Sequence, residues 1–320
     1  MRQHYVVEPR ATTLCCQCGA VAQGIMSRVT GFSLPENLVD SVLADGSPQR
    51  EAWLATLPHM VAKYADRWSL DVGSPYRPGG RCAWVAPVRD PAGRDLVLKV
   101  AWSHDEAIHE ADGLRAWAGN GAVLLHDHAG GEATDVLLLE RCYPGTPLGQ
   151  ARLEPDQDLI VAGLLHRLWQ APVGGRGFRP LQEMCDAWAV EFERVNDAPG
   201  ALDPGLARTG IELLRTLPAT ADRQVLLCTD LHAGNILAAE REPWLVIDPK
   251  PYVGDPTYDA LQHMLNCDER LHADPVGFSR RIADLLDLDP NRLTQWLFAR
   301  CVQESIDHPT LGEVAVGIAP

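Results

Sequence analysis

Apolar residues change their spacing twice along this chain. From position 35 they recur at helical steps: Leu38, Val39, Val42 and Leu43, then Trp53, Leu57, Val61, Tyr64 and Trp68. Three- and four-residue spacing is that of one buried helix face. Pro48 and Pro58 are expected to break this stretch into short pieces. Two apolar strands are predicted next, at 81–88 and 95–100, flanking Asp90-Pro91-Ala92-Gly93. Asp first, Pro second and Gly fourth suit a type I turn, so the strands form a hairpin. A helix over 106–118 runs into Gly119-Asn120-Gly121, and further strands are predicted at 122–126 and 135–140. Beyond Pro144-Gly145-Thr146-Pro147 helical periodicity dominates, over 156–170, 181–195, 204–216, 255–266, 274–286 and 291–307. Residues 227–248 interrupt it as strand, tight loop, strand, turn and strand.

A sheet-rich segment followed by a helical one is an α+β pattern, with a site expected in a cleft. The boundaries read as a flexible leader over 1–27, a first lobe over 28–143 with a five-stranded antiparallel sheet, and a mostly helical second lobe over 144–320.

At 320 residues and 46% hydrophobic, the chain can bury a core in each lobe. A formal net charge of −15 argues against a nucleic-acid partner and suits a cationic small molecule. No apolar run reaches the roughly 18 residues of a membrane span. The first residues, Met1-Arg2-Gln3-His4-Tyr5-Val6-Val7-Glu8, lack the apolar centre of a signal peptide, so a cytoplasmic location is expected. Cys82, Cys142, Cys185, Cys228, Cys267 and Cys301 are scattered singly and read as reduced core residues. Cys15, Cys16 and Cys18 cluster, but no second ligand pair follows, so a closed zinc site is not expected.

The chemistry concentrates in Leu227-Cys228-Thr229-Asp230-Leu231-His232-Ala233-Gly234-Asn235-Ile236-Leu237, followed by Val246-Ile247-Asp248. A Mg²⁺-dependent phosphoryl transferase needs a carboxylate at the attacking hydroxyl, and an amide oxygen with a second carboxylate at the metal. The spacing D-L-x-x-x-N, then an Asp one hairpin later, meets that need with Asp230 as catalytic residue and Asn235 and Asp248 as metal ligands. His232 reads as a hydrogen-bonding scaffold of the loop. Upstream, Gly79 and Gly80 precede the hairpin and could close over phosphates. Lys99 lies in an otherwise apolar strand, where a charge is costly unless paired. Glu110 is the preferred partner, with Glu106 one turn away. Glu140 to Cys142 would follow the connecting strand beside adenine. Carboxylates and flat rings that would receive a cationic acceptor are Asp255, Asp259, Glu304, Asp307, Trp188 and Tyr258.

With Ile247-Asp248-Pro249-Lys250, Gly254-Asp255-Pro256-Thr257-Tyr258-Asp259 and Phe298-Ala299-Arg300-Cys301-Val302-Gln303-Glu304-Ser305, the chain resembles the aminoglycoside/hydroxyurea antibiotic-resistance kinases, and among them the streptomycin 6-kinases. That resemblance runs from about Phe32 to the carboxy terminus. It implies a two-lobed, protein-kinase-like fold, ATP with Mg²⁺, and transfer of the γ-phosphoryl group to an antibiotic hydroxyl. It gives Asp230, Asn235 and Asp248 the same roles as the spacing does, and makes Lys99 the phosphate-binding lysine. Cys228-Thr229 departs from the family's usual His-Gly, whose His orients the loop through hydrogen bonds. A hydroxyurea phosphotransferase, or a nucleotide-binding homologue with impaired catalysis, is the alternative.

Overall fold

The computed structural model describes residues 32–103, 108–131, 133–174, 177–195 and 202–320. The predicted leader, Cys15, Cys16, Cys18 and Glu106 lie outside them. Two compact units emerge: residues up to Ala111 with Val123–Cys142, and Asp112–Ala122 with Tyr143–Pro320.

In the first unit, helices α1 (Glu36–Asp45) and α2 (Pro48–Trp68) precede a five-stranded sheet. Its strands are β1 (Asp71–Val72), β2 (Ala83–Arg89), β3 (Asp95–Trp102), β4 (Leu125–Gly130) and β5 (Thr134–Glu140), ordered β1-β2-β3-β5-β4 and antiparallel throughout. The predicted 90–93 turn joins β2 and β3: the Gly93 N–H donates to the Asp90 carbonyl at 2.9 Å, with Gly93 at φ +80°. Pro58 does not break the helix as expected; α2 runs through it for 21 residues. Trp53, Leu54 and Leu57 before the proline and Val61 and Tyr64 beyond it keep one face buried. Burying each is worth roughly 1.5–3 kcal/mol, together more than the ~3 kcal/mol of one interior proline. Pro48 sits in the first turn, where no N–H is needed, behind the Ser47 cap.

These helices cover one sheet face, packing on Trp84, Ala86, Val88, Leu96, Leu98, Val100, Val136 and Leu138. Strand periodicity turns Lys99 to the other face, registered with Val85 and Leu137. The strand expected at 122–126 begins instead at Leu125, because Ala122 forms a parallel bridge with Val246.

A helix α3 (Glu110–Trp117) contains the unit boundary. Its later residues belong to the second unit: the Trp117 indole donates to the Leu168 carbonyl at 3.1 Å, and a Cβ on Gly113 would lie 2.3 Å from Pro251. Only glycine permits that approach.

The second unit carries α4 (Leu148–Ala151), α5 (Glu154–Leu168), α6 (Leu181–Val195), α7 (Pro204–Thr216), α8 (Pro256–Asp259), α9 (Leu261–Leu265), α10 (Asp268–Ala273), α11 (Pro275–Leu286), α12 (Pro290–Glu304) and α13 (Pro309–Gly317). Two small antiparallel ribbons are set among them: β6 (Val225–Leu227) with β9 (Tyr252–Gly254), and β7 (Ile236–Ala238) with β8 (Trp244–Val246). Helices α7, α8, α11 and α12 each open on an Asp-Pro pair, in which Asp203, Asp255, Asp274 and Asp289 cap the backbone and Pro takes the first turn. The cysteines described are thiols outside any disulfide, and burial pushes those of Cys185, Cys267 and Cys301 up to about 12. Among the described residues no helix is long and apolar enough to cross a membrane.

Candidate active site

Pairing of β6 with β9 fixes where the polar loops meet. Leu227 stands opposite Tyr252, so the chain leaving β6 and the chain entering β9 run side by side. The first becomes the 228–235 loop and the second the 247–251 segment, joined through the β7–β8 hairpin. Main-chain bonds lock them together: the Lys250 N–H donates to the Cys228 carbonyl and the Ile247 N–H to the Asn235 carbonyl, both at 2.9 Å. Within the loop the Asn235 amide nitrogen donates to the Asp230 carbonyl at 3.0 Å. The Gly234 N–H donates to His232 Nδ1 at 3.1 Å, and burial keeps the His232 pKa below its ordinary value. A neutral ring that accepts from the backbone is a scaffold for the loop.

Two residues here adopt left-handed backbone without being glycine, Thr229 at φ +53° and Asp248 at φ +52°. Such conformations cost of order 1–3 kcal/mol each and persist where surrounding bonds over-determine them. Thr229 has two such bonds. Its N–H donates to Asp259 Oδ1 at 2.6 Å and its hydroxyl to the Lys250 carbonyl at 2.5 Å. Asp259 Oδ2 also accepts the Cys228 N–H and the Trp169 indole, both at 3.0 Å. Burial raises the Asp259 carboxyl to about 6, against the hydrogen bonds from Cys228, Trp169 and Thr229. At Cys228-Thr229 this chain ties its loop through the Thr229 hydroxyl and the Asp259 carboxylate.

Asp230 is buried, and its Oδ2 meets the Lys250 ammonium at 2.9 Å. Asp248 is exposed and Asn235 half-buried. With its nitrogen engaged internally, Asn235 presents its amide oxygen as the end for a cation. One carboxylate plus one amide oxygen is a hard donor set, suited to Mg²⁺ that completes its shell with phosphate and water. Among the described residues no group of three or more His, Cys, Asp or Glu could hold a metal.

In the first unit Lys99 Nζ lies 2.7 Å from both carboxylate oxygens of Glu110, with Lys99 7% and Glu110 2% exposed. The pairing with Glu110 expected from the sequence is thus present as a buried fork. Gly79 (φ +86°) is packed so closely on Pro35 that a Cβ would lie 2.3 Å from it, whereas a Cβ on Gly80 would meet the Ala83 carbonyl at an ordinary 3.9 Å. Glu140 accepts the Leu124 N–H at 2.9 Å, and Cys142 is half-buried beyond β5.

Residues proposed to meet an acceptor fall into two groups. Asp255 and Asp259 are buried and committed: Asp255 accepts from Trp296 and Arg292, each at 2.7 Å, while it caps α8. Glu304 is buried as well, 2.8 Å from Arg300, and burial raises its pKa against the pull of that guanidinium. Arg300 stacks 4.1 Å over the ring of Trp188, which is half-buried. Asp307 is exposed. Sequence reasoning passed over Lys250 and the structural use of Thr229. The available signal for the former was a lysine clamped between Pro249 and Pro251 two residues beyond Asp248.

Residues 67–308 match the sequence model of the Aminoglycoside/hydroxyurea antibiotic resistance kinase family. The chain is 34% identical over 296 residues to a streptomycin 6-kinase of Streptomyces griseus, covering 88% of this chain and 92% of that one. It is 36% identical over 294 residues to a hydroxyurea phosphotransferase of Kitasatospora aureofaciens, covering 88% and 82%. Among solved structures it is similar to a macrolide 2'-phosphotransferase from Brachybacterium faecium (TM-score 0.53, 15% identity, 82% of this chain and 96% of that one). A spectinomycin phosphotransferase solved with ADP and its antibiotic is similar too (TM-score 0.52, 11% identity, 82% and 94%). At those identities the likeness establishes the fold alone, the α+β, protein-kinase-like class expected from the sequence.

Proposed function

Because this chain belongs to the aminoglycoside/hydroxyurea antibiotic resistance kinase family, we propose that it transfers the γ-phosphoryl group of ATP to a hydroxyl of streptomycin, the 6-hydroxyl by kinship. The observation carrying this reading is the bonding of two segments, Asn235 to Asp230, Ile247 to Asn235 and Lys250 to Asp230, with Asp248 following Ile247 in the second, in a chain 34% identical to a streptomycin 6-kinase. Asp230 orients the acceptor hydroxyl and receives its proton. Asn235 and Asp248 would hold Mg²⁺, which when bound neutralises charge on the β- and γ-phosphate oxygens. Lys99, fixed by Glu110, binds the α- and β-phosphates, and the segment from Glu140 to Cys142 meets the adenine. Positioning and electrostatics supply most of the rate. Of the acceptor-side candidates, exposed Asp307 and half-buried Trp188 offer an anion and a ring face to a guanidinium. The net charge of −15 draws in a cationic antibiotic rather than nucleic acid. A reaction that consumes ATP suits the cytoplasm.

The similarity to a hydroxyurea phosphotransferase favours a second acceptor, small and neutral. ATP consumption with streptomycin, other aminoglycosides and hydroxyurea, followed by mapping of the product, separates them. Streptomycin turnover that weakens with added salt supports the first reading, since screening acts on a charged acceptor. Salt-insensitive turnover confined to hydroxyurea overturns it. ATP binding without turnover on any acceptor would mark an impaired homologue instead.

A further inference from the structure

We propose that Lys250 is a catalytic residue of the phosphoryl transfer, its ammonium holding Asp230 in place while donating to the phosphoryl group in flight. This deepens the functional reading above and rests on it. Of the 28 Lys and Arg residues in the chain only three are lysine: Lys63, Lys99 and Lys250. Lys63 is exposed on α2. Lys99 is the buried partner of Glu110. In a chain that otherwise uses arginine for positive charge, Lys250 stands where a compact point charge, rather than a planar fork, meets a carboxylate.

The backbone of Lys250 is fixed on both sides. Its N–H donates to the Cys228 carbonyl at 2.9 Å, and its carbonyl accepts the Thr229 hydroxyl at 2.5 Å. Pro249 and Pro251 flank it; each locks its own φ, and the second also confines Lys250 to extended backbone. From that anchored position Nζ reaches Asp230 Oδ2 at 2.9 Å, with the lysine side chain 18% and the aspartate 12% exposed. The pair is sheltered, so solvent screens it less than a surface pair. Nothing in a purely structural role requires a lysine here to point at the one carboxylate assigned to the acceptor hydroxyl.

An ammonium has three N–H donors, so it can hold Asp230 and still donate to an oxygen of the transferring group. In the step itself the acceptor oxygen forms a bond to Pγ. The bond from Pγ to the bridging oxygen breaks, its electron pair leaving on ADP, and the acceptor proton passes to Asp230. Lys250 keeps its protons throughout. Its charge offsets the repulsion between the Asp230 carboxylate and the incoming phosphoryl oxygens, and it grows in effect as charge develops in transfer.

The test compares wild type with Lys250→Met, Lys250→Ala, Lys250→Arg and, as control, Lys63→Met. Steady-state kinetics with MgATP and streptomycin or hydroxyurea, calorimetric MgADP affinity and melting temperature are read for each. Loss of one preorganised charge predicts a kcat lower by ~10²-fold in Lys250→Met, with both KM values and MgADP affinity within about threefold of wild type. Lys250→Arg should retain more activity than Lys250→Met, and ethylamine should restore turnover to Lys250→Ala but not to Asp230→Ala. Lys63→Met should match wild type. An active wild type whose kcat is matched by Lys250→Met overturns the role of Lys250 alone. So does a loss that tracks a fallen melting temperature or weakened MgADP binding. A wild-type protein inert with every acceptor overturns the phosphotransferase reading and the role of Lys250 with it.

Discussion

Thr229 offers a perturbation in which backbone and side chain act with opposite sign. A β-branched residue at φ +53° is strained by about 1–2 kcal/mol relative to glycine. Its hydroxyl bond to the Lys250 carbonyl returns about 1 kcal/mol. Thr229→Gly removes the strain and the bond together and adds roughly 0.4–1 kcal/mol of unfolded-chain entropy to overcome, so its stability should stay within about 1 kcal/mol of wild type. Thr229→Val keeps the shape and the strain, deletes the donor, and leaves a carbonyl without its partner. That should cost about 1–3 kcal/mol. Thr229→Ser retains the hydroxyl and should behave as wild type. Activity should sort differently from stability, because the hydroxyl positions Lys250. Both Gly and Val variants should lose ~10-fold in kcat, in line with the rate lost when a catalytic group is misplaced by under an ångström. Urea unfolding of the three variants with parallel turnover assays measures both. A Val variant as stable as wild type, or a Gly variant less stable than Val, would refute the reasoning.

Other perturbations follow from the same geometry. Glu110→Gln strips the counter-ion from buried Lys99; it should cost about 3–5 kcal/mol in urea unfolding and raise KM for ATP. Asp259→Asn turns an amide donor toward the Cys228 and Thr229 N–H groups or the Trp169 indole, and should lower kcat together with stability by ~1–3 kcal/mol. The Asp259 carboxyl, raised to about 6 by burial, favours the fold most when protonated, so its contribution should fade as pH rises through 6. This variant should flatten that limb of a stability-versus-pH curve. Asp158 has the opposite sign: burial pushes its carboxyl up, but hydrogen bonds from His263, Arg270 and Arg281 hold it well below the ordinary range. Its stabilisation is present above the unfolded value of about 3.9 and is lost as pH falls below it; Asp158→Asn should make urea midpoints less acid-sensitive.

Much of this architecture was legible in the sequence because local chemistry and tertiary demand agree. The 90–93 turn, the helices opening at Asp-Pro pairs and the apolar strand around Lys99 each follow from residues within a few positions. Failures arose where distant partners decide. Pro58 is tolerated because the helix beyond it stays buried against the sheet, and Ala122 leaves its strand to bridge Val246. The predicted helix over 255–266 is divided at Ala260 into α8 and α9, directly after Asp259 commits its carboxylate to the 228–229 backbone. Spacing alone singled out Asp230, Asn235 and Asp248 for the proposed site. The Lys250 contact could not, since 20 positions of sequence separate it from Asp230 and only the pairing of β6 with β9 closes that gap.

The most direct measurement is phosphorus NMR of the product formed from ATP, Mg²⁺ and streptomycin by wild type and by Asp248→Ala at equal protein concentration. A new phosphomonoester on the antibiotic is expected with wild type. The variant should form it at least ~10²-fold more slowly, as for loss of a preorganised electrostatic group, while keeping its melting temperature. An Asp248→Ala protein that phosphorylates streptomycin at the wild-type rate would contradict the assignment of the metal and hydroxyl groups to this loop.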